Sequence, residues 1–166
     1  MNKNIIGIAI AVLVLGGLVW VAQPNNSQNN TTALSTESNG TIIVEGTNSY
    51  DFGTISMSAG KVKYQFKIKN TSSGAVTINK IYTSCMCTTA LLAIGNKQFG
   101  PYGMPGHNAV PRVDQTVNSN EEAIVEIVFD PAAHGPAGVG RIQRAITIES
   151  NAGQPILLQF VAVVTP

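Results

Sequence analysis

The two cysteines of the chain lie two positions apart, in the stretch Thr83-Ser84-Cys85-Met86-Cys87-Thr88. In an extended strand both thiols point to the same face, and their Cα atoms are about 6.5 Å apart. A disulfide requires Cβ atoms about 3.8 Å apart, so a bridge between Cys85 and Cys87 is strained unless the chain bends at Met86. A strained bridge is readily reduced, which makes the pair a candidate redox couple.

Two thiolates on one face also suit a soft metal such as copper, as Cu(I), or zinc. Two sulfurs are too few for a closed site, so further ligands are needed. The chain offers four such donors: Met86, Met104, His107 and His134. Met104 and His107 follow the cysteines in a Gly- and Pro-rich loop, residues 94–117, that is close enough in sequence to fold back over them. The predicted metal ligands are therefore Cys85, Cys87, Met104 and His107.

A third interpretation needs no chemistry, because Cys is among the most buried residue types and a pair of small side chains often only packs. Ser84 and Thr88 then form local hydrogen bonds with the backbone. Free thiols are unusual outside the cytoplasm, however. The spacing alone leaves open packed thiols, a shared metal and a reactive disulfide.

Other catalytic arrangements are not indicated. Asp51, Asp114 and Asp130 lack the partners that acid and base catalysis needs, and no Ser, His and Asp arrangement follows from the spacing. Charged residues make up only 11% of the chain, with ten Lys and Arg against nine Asp and Glu. No strong field therefore exists to attract nucleic acid. The chain is predicted to bind no nucleic acid and not to be an enzyme.

The N-terminus predicts a location. Residues 5–22 form an uninterrupted apolar run that can cross most of a hydrocarbon layer roughly 30 Å thick. Lys3 precedes the run, which keeps the N-terminus in the cytoplasm and exports the rest. Val21 and Trp20 before Ala22 are a poor match to a cleavage site, so residues 1–22 are predicted to stay as a signal anchor in the membrane. The polar residues 23–40 are predicted to be a flexible stalk.

From residue 41 the pattern becomes one of short strands. Residues 61–69 alternate apolar Val62, Tyr64, Phe66 and Ile68 with lysines and Gln65. Residues 121–129 alternate in the same way, and residues 155–164 are apolar on both faces, which is typical of a central or covered strand. About seven strands and no convincing helix after Ala22 predict an antiparallel β-sandwich over residues 41–166.

Five short motifs in order resemble an uncharacterised bacterial family, the domain of unknown function 1573. They are Asp51-Phe52-Gly53-Thr54-Ile55, Phe66-Lys67-Ile68-Lys69-Asn70-Thr71, Thr83-Ser84-Cys85-Met86-Cys87-Thr88, Val128-Phe129-Asp130-Pro131 and Ile146-Thr147-Ile148-Glu149-Ser150-Asn151. The resemblance covers about residues 47–164 and implies an exported, immunoglobulin-like sandwich with no established activity. Met86 stands where the family has Gly between the cysteines, which puts a relaxed turn there in doubt, and the 94–117 loop is longer than the family's connection.

Together these observations favour a membrane-anchored, extracytoplasmic, immunoglobulin-like domain in the periplasm or at the cell surface. Its expected role is to bind or scaffold an unidentified envelope or surface protein without catalysis. Metal binding through Cys85 and Cys87 and thiol-disulfide exchange are the two alternatives. The state of the two sulfurs decides between these three functions.

Overall fold

The structure is a computed structural model that describes residues 42–106 and 110–166. Within these ranges the chain forms ten strands and two short 3-10 segments, Met57–Ala59 and Gly135–Gly138. The strands are β1 Ile42–Glu45, β2 Ser49–Ser56, β3 Val62–Asn70, β4 Val76–Thr83, β5 Thr88–Ile94, β6 Lys97–Tyr102, β7 Gln115–Val117, β8 Glu122–Phe129, β9 Gly140–Ser150 and β10 Ile156–Thr165. The prediction of an all-β domain is confirmed.

The strands form two five-stranded sheets, in the orders β1-β3-β8-β5-β6 and β2-β10-β9-β4-β7. All neighbours are antiparallel except β2 and β10, which run parallel. The inward faces of both sheets supply one apolar core that includes Phe66, Ile127, Ile148 and Phe160. The molecule is therefore a two-layer sandwich.

The alternation seen in the sequence sets which side chains enter this core. In β3 the residues Phe66 and Ile68 are buried while Lys63 and Lys67 are exposed, as the period of two requires. The last strand, β10, lies between β2 and β9, so its predicted central position is confirmed. Its outer face is not covered within the described part of the chain, because Leu157 and Val163 remain more than a third exposed.

The predicted number of strands, about seven, was wrong. Strands β6 and β7 fall in residues 94–117, which the sequence predicted to be a Gly- and Pro-rich loop. Strand β6 carries Gly100 and Pro101. The proline is tolerated because β6 lies at a sheet edge, where its missing backbone N–H interrupts no hydrogen bonds between strands. The long loop is thus partly regular structure.

The predicted membrane anchor at 1–22 and the stalk at 23–40 lie outside the described residues, as does His107. Among residues 42–106 and 110–166, no helix has the length and apolar character needed to span a bilayer.

Candidate functional site

The cysteine turn, residues 83–88, carries the chain from β4 in one sheet to β5 in the other. The backbone N–H of Thr88 donates to the carbonyl of Cys85 at 3.1 Å, which closes a tight turn. The Cα atoms of Cys85 and Cys87 are 5.3 Å apart, and their sulfurs are joined as a disulfide. The chain therefore bends at Met86, which is the condition that the sequence set for a bridge between the two cysteines.

Met86 occupies the tip of this turn. Its side chain is 65% exposed, and it is not among the residues with positive φ. A turn that needs no left-handed residue at this position accepts an L side chain as readily as Gly. The substitution of Met for the family's Gly is therefore compatible with the turn.

Hydrogen bonds close the turn on itself and hold it against two other parts of the sandwich. The buried hydroxyl of Thr83 lies 3.0 Å from the carbonyl oxygens of both Cys85 and Thr88. Ser84 exchanges two bonds of 2.9 Å with Ala145 of β9, one through its N–H and one through its hydroxyl oxygen. The N–H of Asp130 donates to the carbonyl of Cys87 at 2.9 Å. The sulfurs are consequently fixed relative to β9 and to the corner that follows β8.

Two nitrogen groups approach the sulfurs from these neighbours. His134 Nε2 lies 3.1 Å from Cys85 Sγ, and Arg144 Nε donates to Cys87 Sγ at 3.4 Å. The N–H of Cys87 also donates to Cys85 Sγ at 3.2 Å. Cys85 is 7% exposed and Cys87 3% exposed. Each buried sulfur thus faces a group that can carry positive charge, and such a neighbour stabilises a thiolate.

The corner between β8 and β9 positions His134. Asp130 Oδ1 accepts from the N–H of Ala132 at 3.0 Å, and the N–H of Gly135 donates to the carbonyl of Ala132 at 2.9 Å. A Cβ atom at Gly138 would lie only 3.1 Å from the Cβ of His134, a separation that leaves little room for any side chain. Glycine at position 138 therefore lets the backbone of this corner pass close to the Cβ atom of His134.

Arg144 reaches the site from the sheet that β9 belongs to. It lies opposite Phe160 of β10, and its Nη1 donates to the carbonyl of Gln143 at 2.9 Å. This second bond fixes the guanidinium on the Cys87 side of the disulfide. The arrangement separates the two nitrogen groups, with one facing each sulfur.

The structure brings together three of the donors that the sequence offered. The donor atoms of Cys85, Cys87 and His134 lie within 4.8 Å of one another. Met104 is 47% exposed in the segment after β6, where the carbonyl of its neighbour Gly103 accepts from Thr83 at 3.1 Å. That segment does return to the cysteine turn, as the sequence suggested.

The acidic residues considered from sequence have local partners. Asp51 Oδ1 accepts from the N–H of Gly53 at 2.7 Å, and Asp130 fixes the corner described above. The guanidinium of Arg112, 2.7 Å away, lowers the pKa of Asp114 from its usual range. These contacts are typical of turns and exposed ion pairs.

Fold and site together define a β-sandwich domain whose two sheets are connected by a turn that contains a disulfide. Residues 43–94 match the model of a family described as Protein of unknown function (DUF1573), so the resemblance seen in the sequence is confirmed over that segment. The match includes the cysteine turn and ends before His134 and Arg144. No curated protein matches the chain.

Among solved structures, the chain is similar to a protein of unknown function from Porphyromonas gingivalis W83, with 15% identity and a TM-score of 0.55. That match covers 75% of this chain and 46% of the other, so the chain spans less than half of that relative. A PapD-like domain of human CEP192 has 12% identity and a TM-score of 0.47, with 76% and 86% covered. The secreted serine protease VesC of Vibrio cholerae has 11% identity and a TM-score of 0.47, with 79% and 25% covered. At 15% identity, the similarity to the Porphyromonas gingivalis protein is one of fold alone.

Proposed function

We propose that this domain exchanges its Cys85–Cys87 disulfide with the cysteine pair of a partner protein outside the cytoplasm. The observation that carries the proposal is the pairing of each sulfur with its own stabilising group, His134 at Cys85 and Arg144 at Cys87. A purely structural disulfide requires neither group. Thiolates that form during exchange do require them, because the thiolate is both the nucleophile and the leaving group.

The exposure of the two cysteines orders the steps. A thiolate of the partner attacks Sγ of Cys85, the more exposed of the two cysteines, and the disulfide breaks. Cys87 leaves as a thiolate that accepts the Nε–H of Arg144. The partner's second thiolate then attacks the partner's first sulfur, which is bonded to Cys85 in the mixed disulfide. Cys85 leaves as a thiolate beside His134. Two electrons pass from the partner dithiol to Cys85 and Cys87, and the two protons lost by the partner neutralise the new thiolates.

Reaction rates with a small disulfide reagent test the role of the two nitrogen groups. Removing one charge-assisted hydrogen bond to a thiolate costs about 1.5–3 kcal/mol, so Arg144→Gln and His134→Ala should each slow the reaction of the reduced protein about tenfold or more. Arg141→Gln is the matched control, because Arg141 is an exposed residue of the same strand. If the reduced cysteines react only after unfolding, or if all three variants match the wild type, exchange is not the function of this site.

The location is part of the proposal. The apolar residues 5–22 are inferred to anchor the chain in a membrane and to place the sandwich in the periplasm or at the cell surface. A disulfide in the sandwich fits such an oxidising compartment. Fractionation with external protease tests the location: the sandwich of intact cells or spheroplasts should be degraded while a cytoplasmic marker survives. Protection of the sandwich would place it inside.

The second candidate is binding or scaffolding of an envelope or surface protein without any catalysis, which the sequence favoured. Two exposed methionines support it, Met86 in the turn and Met104 in the segment joined to it through Gly103 and Thr83. Exposed Met side chains adapt well to partner surfaces. This candidate uses the same end of the sandwich but leaves the disulfide intact.

Single cysteine variants separate the two candidates. Reduced Cys87→Ala retains the attacking thiol of Cys85 but not the thiol that resolves a mixed disulfide, so exchange predicts that this variant covalently captures the disulfide form of the partner. Cys85→Ala should capture none. A scaffold predicts instead that both variants and the wild type retain the same partner to the same extent, and that reductant does not release it.

A further inference from the structure

We propose that the reduced cysteine turn, together with His134, forms a three-coordinate site for a soft monovalent cation, Cu(I). The ligand atoms are the two sulfurs and the His134 imidazole, whose donor atoms already lie within 4.8 Å of one another. The site is separate in function from disulfide exchange. It requires only that the disulfide be reduced, and any reductant achieves that.

The distances suit a single ion. His134 Nε2 lies 3.1 Å from Cys85 Sγ, and one ion between them needs bonds of about 2.0–2.3 Å to nitrogen and sulfur. Reduction lets the sulfurs separate by small side-chain rotations, because the turn itself is held by Thr83 and Ser84 rather than by the disulfide alone. The backbone therefore keeps both thiolates beside the imidazole after reduction.

The number of ligands favours Cu(I) over zinc. Within residues 42–106 and 110–166, one group of His, Cys, Asp or Glu side chains brings its donor atoms together, and it consists of Cys85, Cys87 and His134. A structural zinc site normally has four protein ligands, whereas Cu(I) is stable with three. Soft thiolate ligands also select Cu(I).

The charge of the site points to the same ion. Two thiolates carry two negative charges, and the guanidinium of Arg144 beside Cys87 contributes one positive charge. A monovalent cation brings the total to zero, whereas a divalent cation leaves one uncompensated positive charge among residues that are 7% and 3% exposed. Unpaired charge is costly at such burial.

Arg144 and the backbone supply the outer contacts of the proposed site. Arg144 Nε donates to Cys87 Sγ, and the N–H of Cys87 donates to Cys85 Sγ at 3.2 Å. Such donors orient metal-bound thiolates and reduce their charge. His134 is exposed on its outer side, so an ion can reach the site past the imidazole. The oxidised protein has no free thiolate and should bind no ion.

The test is a titration of the full-length protein, reduced and freed of reductant under anaerobic conditions, with Cu(I) buffered by a coloured chelator. We expect one Cu(I) per chain, no binding by the oxidised protein, and loss of binding in the Cys85→Ser, Cys87→Ser double variant. His134→Ala should weaken binding at least about tenfold, and excess zinc should not displace the copper. Circular dichroism confirms that each variant keeps its sheets.

The matched controls are Met104→Leu and His107→Ala, which remove the other donors suggested by the sequence. Unchanged affinity in both supports the proposed ligand set. Absence of stoichiometric Cu(I), equal binding by the double cysteine variant, or a loss in His107→Ala but not in His134→Ala would overturn it. Exchange rates measured on metal-free protein are independent of these results, so failure of either proposal leaves the other one standing.

Discussion

The two ends of the sandwich secure their turns with different chemistry. Along β8, Phe129 pairs with Thr88 at the cysteine turn, and Glu122 pairs with Lys69 at the opposite end, next to Asn70. The cysteine turn relies on sulfur, imidazole and guanidinium. The opposite end relies on the neutral amide of Asn70, which is fully buried.

The amide of Asn70 connects two turns. Its Nδ2 donates to the carbonyls of Gly74, Val117 and Asn118 at 2.8, 3.0 and 3.1 Å, and its Oδ1 accepts from the N–H and hydroxyl of Ser72 at 3.0 and 2.7 Å. None of these groups changes its charge or oxidation state near neutral pH. The carboxylate of Glu121 also accepts from the N–H and the side-chain amide of Asn118 in this turn. This end is thus closed without a redox-active group, and the disulfide at the other end requires a further reason.

Asn70→Ala should have the largest effect on stability. It leaves the buried carbonyl of Val117 and the partly buried carbonyls of Gly74 and Asn118 without their donor. Each costs about 1–3 kcal/mol when it stays unsatisfied, so we expect the free energy of unfolding in urea to fall by about 3 kcal/mol. Asn96→Ala, at an exposed turn position, should change it by less than about 0.5 kcal/mol. A loss below about 1 kcal/mol for Asn70→Ala would show that the amide is replaceable.

Reduction of the disulfide should cost less. The bridge closes a loop of only three residues, and the chain-entropy relation gives about 1.5 kcal/mol for so short a loop. Urea unfolding with and without reductant measures the difference, and the Cys85→Ser, Cys87→Ser variant, which should not respond to reductant, is the control. A loss as large as that of Asn70→Ala would make the disulfide a structural element equal to the amide.

The sequence predicted the fold better than the site. Alternation in β3 and β8 follows directly from burial of one face, so these strands were visible without a structure. Strand β6 was missed because Gly100 and Pro101 are typical of loops, and only its place at a sheet edge makes them acceptable.

Prediction of the site was limited by sequence separation. Cys85 and Cys87 were identified from their spacing, but His134 and Arg144 contact them from 49 and 57 residues away. His134 was a candidate metal ligand because of its side-chain chemistry alone. Its position beside the cysteines follows only from the pairing of Thr88 with Phe129, which brings the corner after β8 to the cysteine turn. The alternation of β9 places Arg144 on the face of the buried Ile146 and Ile148, and Arg141 on the opposite face, but it does not indicate that Arg144 contacts Cys87.

Met86→Gly tests how far the cysteine turn depends on its local sequence. Met86 adopts a backbone conformation open to ordinary residues, so Gly adds only freedom in the unfolded chain. That freedom should lower stability by about 0.4–1 kcal/mol. Met86→Ala removes the side chain without this freedom and serves as the control in the same urea titration. A gain in stability with Gly would reveal strain at Met86 and restore the expectation drawn from the family.

The smallest effect should come from the middle of the sandwich, where Glu126 of β8 lies between the two ends. Hydrogen bonds from Gln65 Nε2 at 3.0 Å and Lys63 Nζ at 3.1 Å lower the pKa of Glu126 from its usual value. A carboxylate whose pKa is lower in the folded state adds stability above its unfolded pKa, and that stability is lost as pH falls through the folded pKa.

Glu126→Gln should therefore be less stable than the wild type at pH 7, by no more than about 1 kcal/mol for so exposed a pair. The difference should shrink as the pH falls below the usual pKa of a glutamate, near 4.5. Thermal unfolding of both proteins from pH 7 to pH 3 measures it, and two curves that stay parallel would contradict the assignment. The reactivity of the cysteine thiols should be the same in both proteins, because Glu126 belongs to neither end of the sandwich. A difference in thiol reactivity would mean that charge on β8 affects the cysteine turn.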